Sequence, residues 1–153
     1  MADNDNRQMQ KVIVFELVNK EYAIPVEYVL SIEKVSTITR VPGVEPFVMG
    51  VINLKGTITP IIDLRMRFGL EQKEYDESSR IIIISFNEFE VGLIVDSARD
   101  VLEFPADLIE PQPKVIGMQE IDFINGVVKV DKRLLILIKL ERILQVLGTT
   151  QSI

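Results

Sequence analysis

Four aspartates, Asp63, Asp96, Asp100 and Asp131, stand at or near the ends of aliphatic runs. Carboxylates can serve as general acids and bases, but that work needs them paired beside apolar pockets with shifted pKa values. The other acids gather in polar stretches, Glu71, Glu74, Asp76 and Glu77 among them, where a carboxylate is solvated. A strand-end aspartate has a simpler use. Its oxygens accept hydrogen bonds from the backbone N–H groups of the next turn. The four are therefore read as turn caps. The chain has no Cys and no His. That inventory removes thiolate nucleophiles, disulfides, Cys/His zinc sites and imidazole acid–base catalysis. The serines, Ser31, Ser36, Ser78, Ser79, Ser85, Ser97 and Ser152, form no nucleophile elbow. No calcium loop, phosphate loop or dinucleotide fingerprint is present. Neither an enzyme nor a metal or cofactor site is expected.

What remains is a cation in an unusual place. Gly50–Leu64 reads GVINLKGTITPIIDL, two apolar runs joined by Leu54-Lys55-Gly56-Thr57. Gly56 suits a type II turn or a G1-bulge turn, where φ must be positive. Pro60 cannot donate to a ladder, so its strand is an edge or a bulge there. Gly50 marks a close approach or a bend. The stretch is a hairpin with Lys55 at its tip, in a chain of net charge −6.

Such hairpins need a frame. The 153 residues suffice for one ordinary domain or two very small ones, and 47% hydrophobic content supports a sizeable core. A net charge of −6 repels phosphate backbones and anionic lipid. The start, Met-Ala-Asp-Asn-Asp-Asn, has no secretory pattern, and the longest aliphatic runs, Ile81–Ile84 and Leu134–Ile138, fall far short of a membrane span. A soluble cytoplasmic protein is expected.

The chain also repeats itself. Lys11–Val35 aligns without gaps on Arg80–Phe104, 69 positions later, and Gly50–Phe68 aligns on Gly126–Leu144, 76 positions later. Each half reads as five short strands: near 12–18, 21–25, 29–37, 50–54 and 57–62, then near 80–86, 89–95, 98–104, 126–130 and 133–138. The halves fall at about 11–70 and 80–147, joined by the polar stretch Glu71–Ser79. Flexible tails are expected at 1–10 and 148–153. Sixty residues are too few for an extended sandwich, so each half is expected to close as a small barrel. Leu140, Ile143, Leu144 and Leu147, followed by Gly148, predict an amphipathic C-terminal helix with a glycine cap.

Gly50-Val51-Ile52-Asn53-Leu54-Lys55-Gly56, Ile58 and Pro60-Ile61-Ile62-Asp63-Leu64 together resemble the signature of the CheW family, the coupling proteins of bacterial chemotaxis. Phe15–Ile32, with Tyr22-Ala23-Ile24 and Val29-x-x-Ile32, resembles the family's opening strands. Val91–Asp96 followed by Val101-Leu102 resembles its second-half signature. The resemblance covers about residues 11–147. This chain has Lys55 where the family usually has Arg, which keeps the charge but loses the planar fork. It has Ser31 where members often carry an acid.

The resemblance implies a mainly β fold of two tandem SH3-like five-stranded barrels with a short C-terminal helix. It implies a non-catalytic adaptor without cofactors, recruited to membrane-associated receptor arrays. Its partners would be the cytoplasmic tip of methyl-accepting chemoreceptors and the regulatory domain of the histidine kinase CheA. Helix recognition uses aliphatic grooves. By resemblance, Val29, Ile32, Gly92, Val95 and Val101 are receptor-contact candidates and Lys55 is a partner contact at the turn. Gly50, Asn53, Gly56, Pro60 and Asp63 would shape the signature hairpin. The competing expectation is a small-barrel protein associated with nucleic acid, which would need a basic, aromatic face. Net charge −6, no Trp and three Tyr argue against it.

Overall fold

The computed structural model describes residues 7–111 and 121–145. Among these residues eleven strands follow in chain order: β1 Met9–Leu17, β2 Lys20–Pro25, β3 Val29–Lys34, β4 Val48–Leu54, β5 Thr57–Asp63, β6 Arg80–Phe86, β7 Phe89–Val95, β8 Ser97–Pro105, β9 Glu110–Pro111, β10 Ile124–Val130 and β11 Arg133–Ile138. Two one-turn helices, α1 Leu64–Arg67 and α2 Leu140–Ile143, each follow the last strand of a half. Met9 and Gln10 lie in β1, so the expected N-terminal tail is shorter than 1–10. Leu147, Gly148 and the expected tail 148–153 lie outside the described residues. Among the described residues no helix is long and apolar enough to cross a membrane.

The fold is mainly β, as expected, but the halves are interleaved rather than tandem. One sheet runs β8-β1-β2-β11-β10-β9 and the other β3-β6-β7-β5-β4. Each sheet takes the opening hairpin of one half and the later strands of the other. The boundaries 11–70 and 80–147 therefore mark a sequence repeat, and neither half makes a sheet alone. The chain crosses between sheets at Val26–Tyr28 and again at Asp96. Hairpins β1–β2 and β6–β7 are equivalent positions 69 apart, and β4–β5 and β10–β11 are equivalents 76 apart.

Side-chain alternation explains the arrangement. In β6, Ile81 and Ile83 face a small core within the second sheet, while Ile82 and Ile84 face a larger core shared by both sheets. Val12 and Val14 of β1 face the first sheet's own core, and Ile13, Phe15 and Leu17 face the shared one. A strand buried on both faces needs no polar alternation, which is why Ile81–Ile84 runs unbroken. Burying each isoleucine contributes roughly 2 kcal/mol. The shared core binds the two sheets into one body.

Closed barrels are not formed: among the described residues the edge strands of neither sheet pair with each other. In the second sheet, Val35 and Ile38 pack over the small core from the connecting segment. The backbone of that segment pairs with β4 at the isolated Thr39–Val51 bridge. Side chains, not a ladder, cover the gap.

Among the described residues all four strand hairpins have two-residue turns with positive φ at both positions: Val18-Asn19, Lys55-Gly56, Asn87-Glu88 and Asp131-Lys132. This is the type I′ pattern, whose twist matches that of paired strands. The expected type II or G1-bulge turn at Lys55-Gly56 is thus replaced by type I′, with φ of 52° and 87°.

Candidate functional site

The signature hairpin is built as its residues require. The Asn53 Oδ1 accepts a hydrogen bond from the Gly56 N–H at 2.9 Å and closes the turn. That places Lys55 at the exposed tip. Pro60 opposes Val51 on one side, and β7 begins to pair with β5 only at Ile61. The missing donor therefore costs no ladder bond on the β7 side. Asp63 caps α1: its Oδ1 accepts from the Met66 N–H at 3.2 Å. Its Oδ2 accepts from the hydroxyl of the half-buried Tyr75 at 2.6 Å. Burial first, and then this carboxylate, push the Tyr75 phenol pKa up. Gly69, at φ 79°, ends the helix while the Leu70 N–H reaches the Arg65 carbonyl at 2.7 Å.

The apolar candidates divide. Val29 and Ile32 lie on edge strand β3, Val29 packed partly against the shared core and Ile32 exposed at 41%. Gly92 and Val95 lie on β7, a central strand buried on both faces. Val95 has no exposed surface. A Cβ on Gly92 would stand 2.6 Å from both Ile61 Cδ1 and Ile81 Cγ2. Direct partner contact by Val95 and Gly92 is therefore given up; they pack the sheet. Val101, 52% exposed, lies on β8, the edge strand of the other sheet. Ile32 and Val101 occupy equivalent places on the two edge strands, 69 positions apart. Leu30 at 54% and Ile58 at 62% are more exposed than either of these candidates. The signal for Leu30 was strand alternation, which puts Leu30, Ile32 and Lys34 together on one face of β3. Ser31 and Lys34 have a Ser-x-x-Lys spacing, but on a strand that offset points the two side chains to opposite faces.

Three arginines knit the halves together. The Arg65 Nε and Nη2 donate to Asp96 Oδ1 and Oδ2 at 2.8 and 2.6 Å, largely buried. The Val18 N–H also donates to Asp96 Oδ2, at 2.9 Å. Val18 is β-branched and held at φ 50°, so this bond supports a strained turn. The Arg67 guanidinium lies between the rings of Phe47 and Phe123, 4.5 and 4.7 Å from their centroids. It donates to the carbonyls of Ile143 and Arg142 at the end of α2, at 2.8 and 3.0 Å. Arg133 bridges Glu21 and Asp100 across β2, β11 and β8.

Burial alone would raise the Asp96 pKa, but the bonds from Arg65 and Val18 outweigh it and hold the carboxyl below its usual value. A lowered folded pKa stabilises above the unfolded pKa, about 3.9, and that stabilisation disappears as pH falls through the folded value. Wild type should therefore exceed Asp96→Asn in urea midpoint at pH 7, with the gap shrinking below about pH 4. A gap independent of pH would exclude the carboxylate as its source.

Among the described residues every buried side-chain nitrogen and oxygen is hydrogen-bonded, and no group of three Asp or Glu side chains is placed to hold a metal. The fold is a mainly β module of two sheets packed on one shared core. What it presents to another molecule is edge strands, turn tips and exposed aliphatic side chains.

Residues 11–147 match the CheW-like domain family. The chain is 47% identical over 135 residues to the chemotaxis protein CheW of Bacillus subtilis (strain 168), covering 88% of this chain and 86% of that one. It is 32% identical over 146 residues to the CheW of Thermotoga maritima, covering 94% and 93%. Among solved structures, the scaffolding protein TtCheW of Thermoanaerobacter tengcongensis superposes with a TM-score of 0.84 at 35% identity, covering 92% of this chain and 96% of that one. The chain belongs to the CheW-like family.

Proposed function

We propose that this protein is a non-catalytic cytoplasmic adaptor of bacterial chemotaxis. It couples the cytoplasmic tip of methyl-accepting chemoreceptors to the regulatory domain of the histidine kinase CheA. The observation that carries this reading is the family match over 11–147 together with 47% identity to a chemotaxis protein along most of both chains. The fold supports it physically. Edge strands β3 and β8 belong to different sheets and expose Ile32 and Val101, apolar side chains open to a partner. The direct test is co-sedimentation of the full chain with a receptor cytoplasmic fragment and with the CheA regulatory domain from the same cell. Binding of neither would overturn the reading.

Lys55 is the contact to test first. It is exposed, and among the described residues it makes no ion pair. Lys55→Glu should weaken kinase or receptor binding while unfolding free energy stays within about 0.5 kcal/mol, as for ordinary surface changes. A large stability loss with normal binding would make Lys55 a structural residue.

A further inference from the structure

The repeat gives each sheet end a counterpart in the other sheet, and one pair of ends has diverged. At the first sheet's end, Arg133 is fully engaged within its own chain. Its Nε and Nη2 donate to Glu21 Oε1 and Oε2 at 3.0 and 2.7 Å. Its Nη1 and Nη2 reach Asp100 Oδ2 and Oδ1 at 3.1 and 3.2 Å. Offsets of 76 and 69 place Thr57 at the Arg133 position, Glu90 at the Glu21 position and Ser31 at the Asp100 position. These three again line one cavity, of about 250 Å³. The carboxylate has been kept and the guanidinium has gone. Among the described residues Glu90 has no ion-pair partner, whereas Glu21 does. The surroundings have changed in step. Leu30 stands where the first sheet has Arg99, and Leu30 and Leu54 form an apolar wall. Ile58 stands beside the same end, next to Thr57 and Glu90, as the equally apolar and exposed Leu134 does in the first sheet. Glu33 and Lys55 also reach the cavity, and neither ion-pairs with another described residue.

We propose that this end of the second sheet seats an arginine side chain presented by the CheA regulatory domain. The inference rests on the coupling reading above and adds the chemistry of one contact. The guanidinium sits between Glu90 and the Ser31 and Thr57 hydroxyls, in the place Arg133 occupies in the other sheet. The partner's apolar surface covers Ile58. Arginine fits better than lysine because the internal template is a fork shared between two acceptors, which a single ammonium does not reproduce. A globular partner fits better than the receptor's helices. The cavity is compact and takes one side chain, whereas a helix needs a groove for anchors spaced three and four residues apart. Lys55 on the same wall meets a carboxylate beside that arginine, so the contact is an exchange of opposite charges that fixes register.

The test is isothermal titration of the full chain with the CheA regulatory domain, and in parallel with a receptor cytoplasmic fragment. Glu90→Gln removes the charge and keeps the shape. Thr57→Arg with Ser31→Asp rebuilds the first sheet's self-contained clasp in the second, filling the seat from within. Each variant should bind the kinase domain at least tenfold more weakly, with the wild-type melting temperature and unchanged receptor-fragment affinity. Wild-type kinase affinity in either variant would overturn the arginine seat. Wild-type chain that fails to bind the kinase domain at all would instead overturn the coupling reading, before any variant is compared.

Discussion

Gly50→Ala is expected to lower the unfolding free energy by about 4 kcal/mol, summing backbone strain, overpacking and two hydrogen bonds. Two separate faults coincide at this residue. Its φ is +144°, a region that side chains rarely adopt. A Cβ there would stand 2.1 Å from the Thr39 carbonyl oxygen and 2.8 Å from its carbon. Both are backbone atoms, so no rotamer change relieves the clash. Moving Thr39 away breaks the paired bonds Thr39 N–H to Val51 O, 2.9 Å, and Val51 N–H to Thr39 O, 2.8 Å. Those bonds hold down the segment that brings Val35 and Ile38 over the second sheet's core. Gly43→Ala is the control. Gly43 has φ +77° but nothing within 4 Å of a new Cβ, so it should lose only about 1 kcal/mol of conformational strain. Urea unfolding of the two variants separates the causes. Equal losses would mean that φ alone matters and that the close approach to Thr39 does not. A loss of about 4 kcal/mol is a large part of the 5–15 kcal/mol typical of a domain, so the urea midpoint of Gly50→Ala should fall well below that of the wild type.

Gly126 makes the same point in the second half. A Cβ there would stand 2.5 Å from the Glu110 carbonyl oxygen, under the two-residue strand β9. The repeat made these glycines legible as equivalents, and a glycine inside a strand already signals a bend or a crossing backbone. Ten of the eleven strands among the described residues were legible to within about three residues, because β-branched runs between turn residues leave few alternatives; the two-residue β9 has no such run. Interleaving was not legible. Equal spacing says which hairpins are equivalent, but hairpin β1–β2 can lie beside strands of either half with the same side-chain pattern. Closure was expected because sixty residues are too few for a sandwich, but each sheet borrows strands from the other half and buries its faces against the shared core, and Val35 and Ile38 plug the second sheet's own core.

The candidate site divides along similar lines. Lys55 at a tip and Asp63 as a cap follow from local turn and helix-end chemistry, which needs only neighbours in sequence. Val95 misled because a strand buried on both faces gives no parity signal, so nothing in Val91–Val95 tells an inward residue from an outward one. The arginine contacts were out of reach altogether. Arg65 meets Asp96 across 31 positions, Arg67 meets Ile143 across 76, and Arg133 meets Glu21 across 112. No local pattern announces such pairs; only the fold brings them together.

Separate loss of the two partners is the second large effect expected. Ile32→Asp, on the exposed face of β3, should weaken receptor-fragment binding at least a hundredfold, about 2.7 kcal/mol. The cause is a charge placed where an apolar contact would otherwise be desolvated. Kinase binding should survive, because a surface aspartate does not disturb the shared core. Ile32 is a sounder choice than Val29, whose side chain packs partly into that core and whose loss would confuse binding with folding. Val101→Asp, at the equivalent place on β8, tells whether the receptor spans both edge strands. If it does, the two variants should lose receptor affinity alike. Glu90→Gln should do the reverse, losing the kinase and keeping the receptor. A titration of receptor fragment into a preformed complex with the kinase domain completes the test. A ternary species in sedimentation is expected, since an adaptor using one surface for both partners would be a competitor and could not couple them. Displacement of one partner by the other, or loss of both partners in every folded variant, would end the two-surface account.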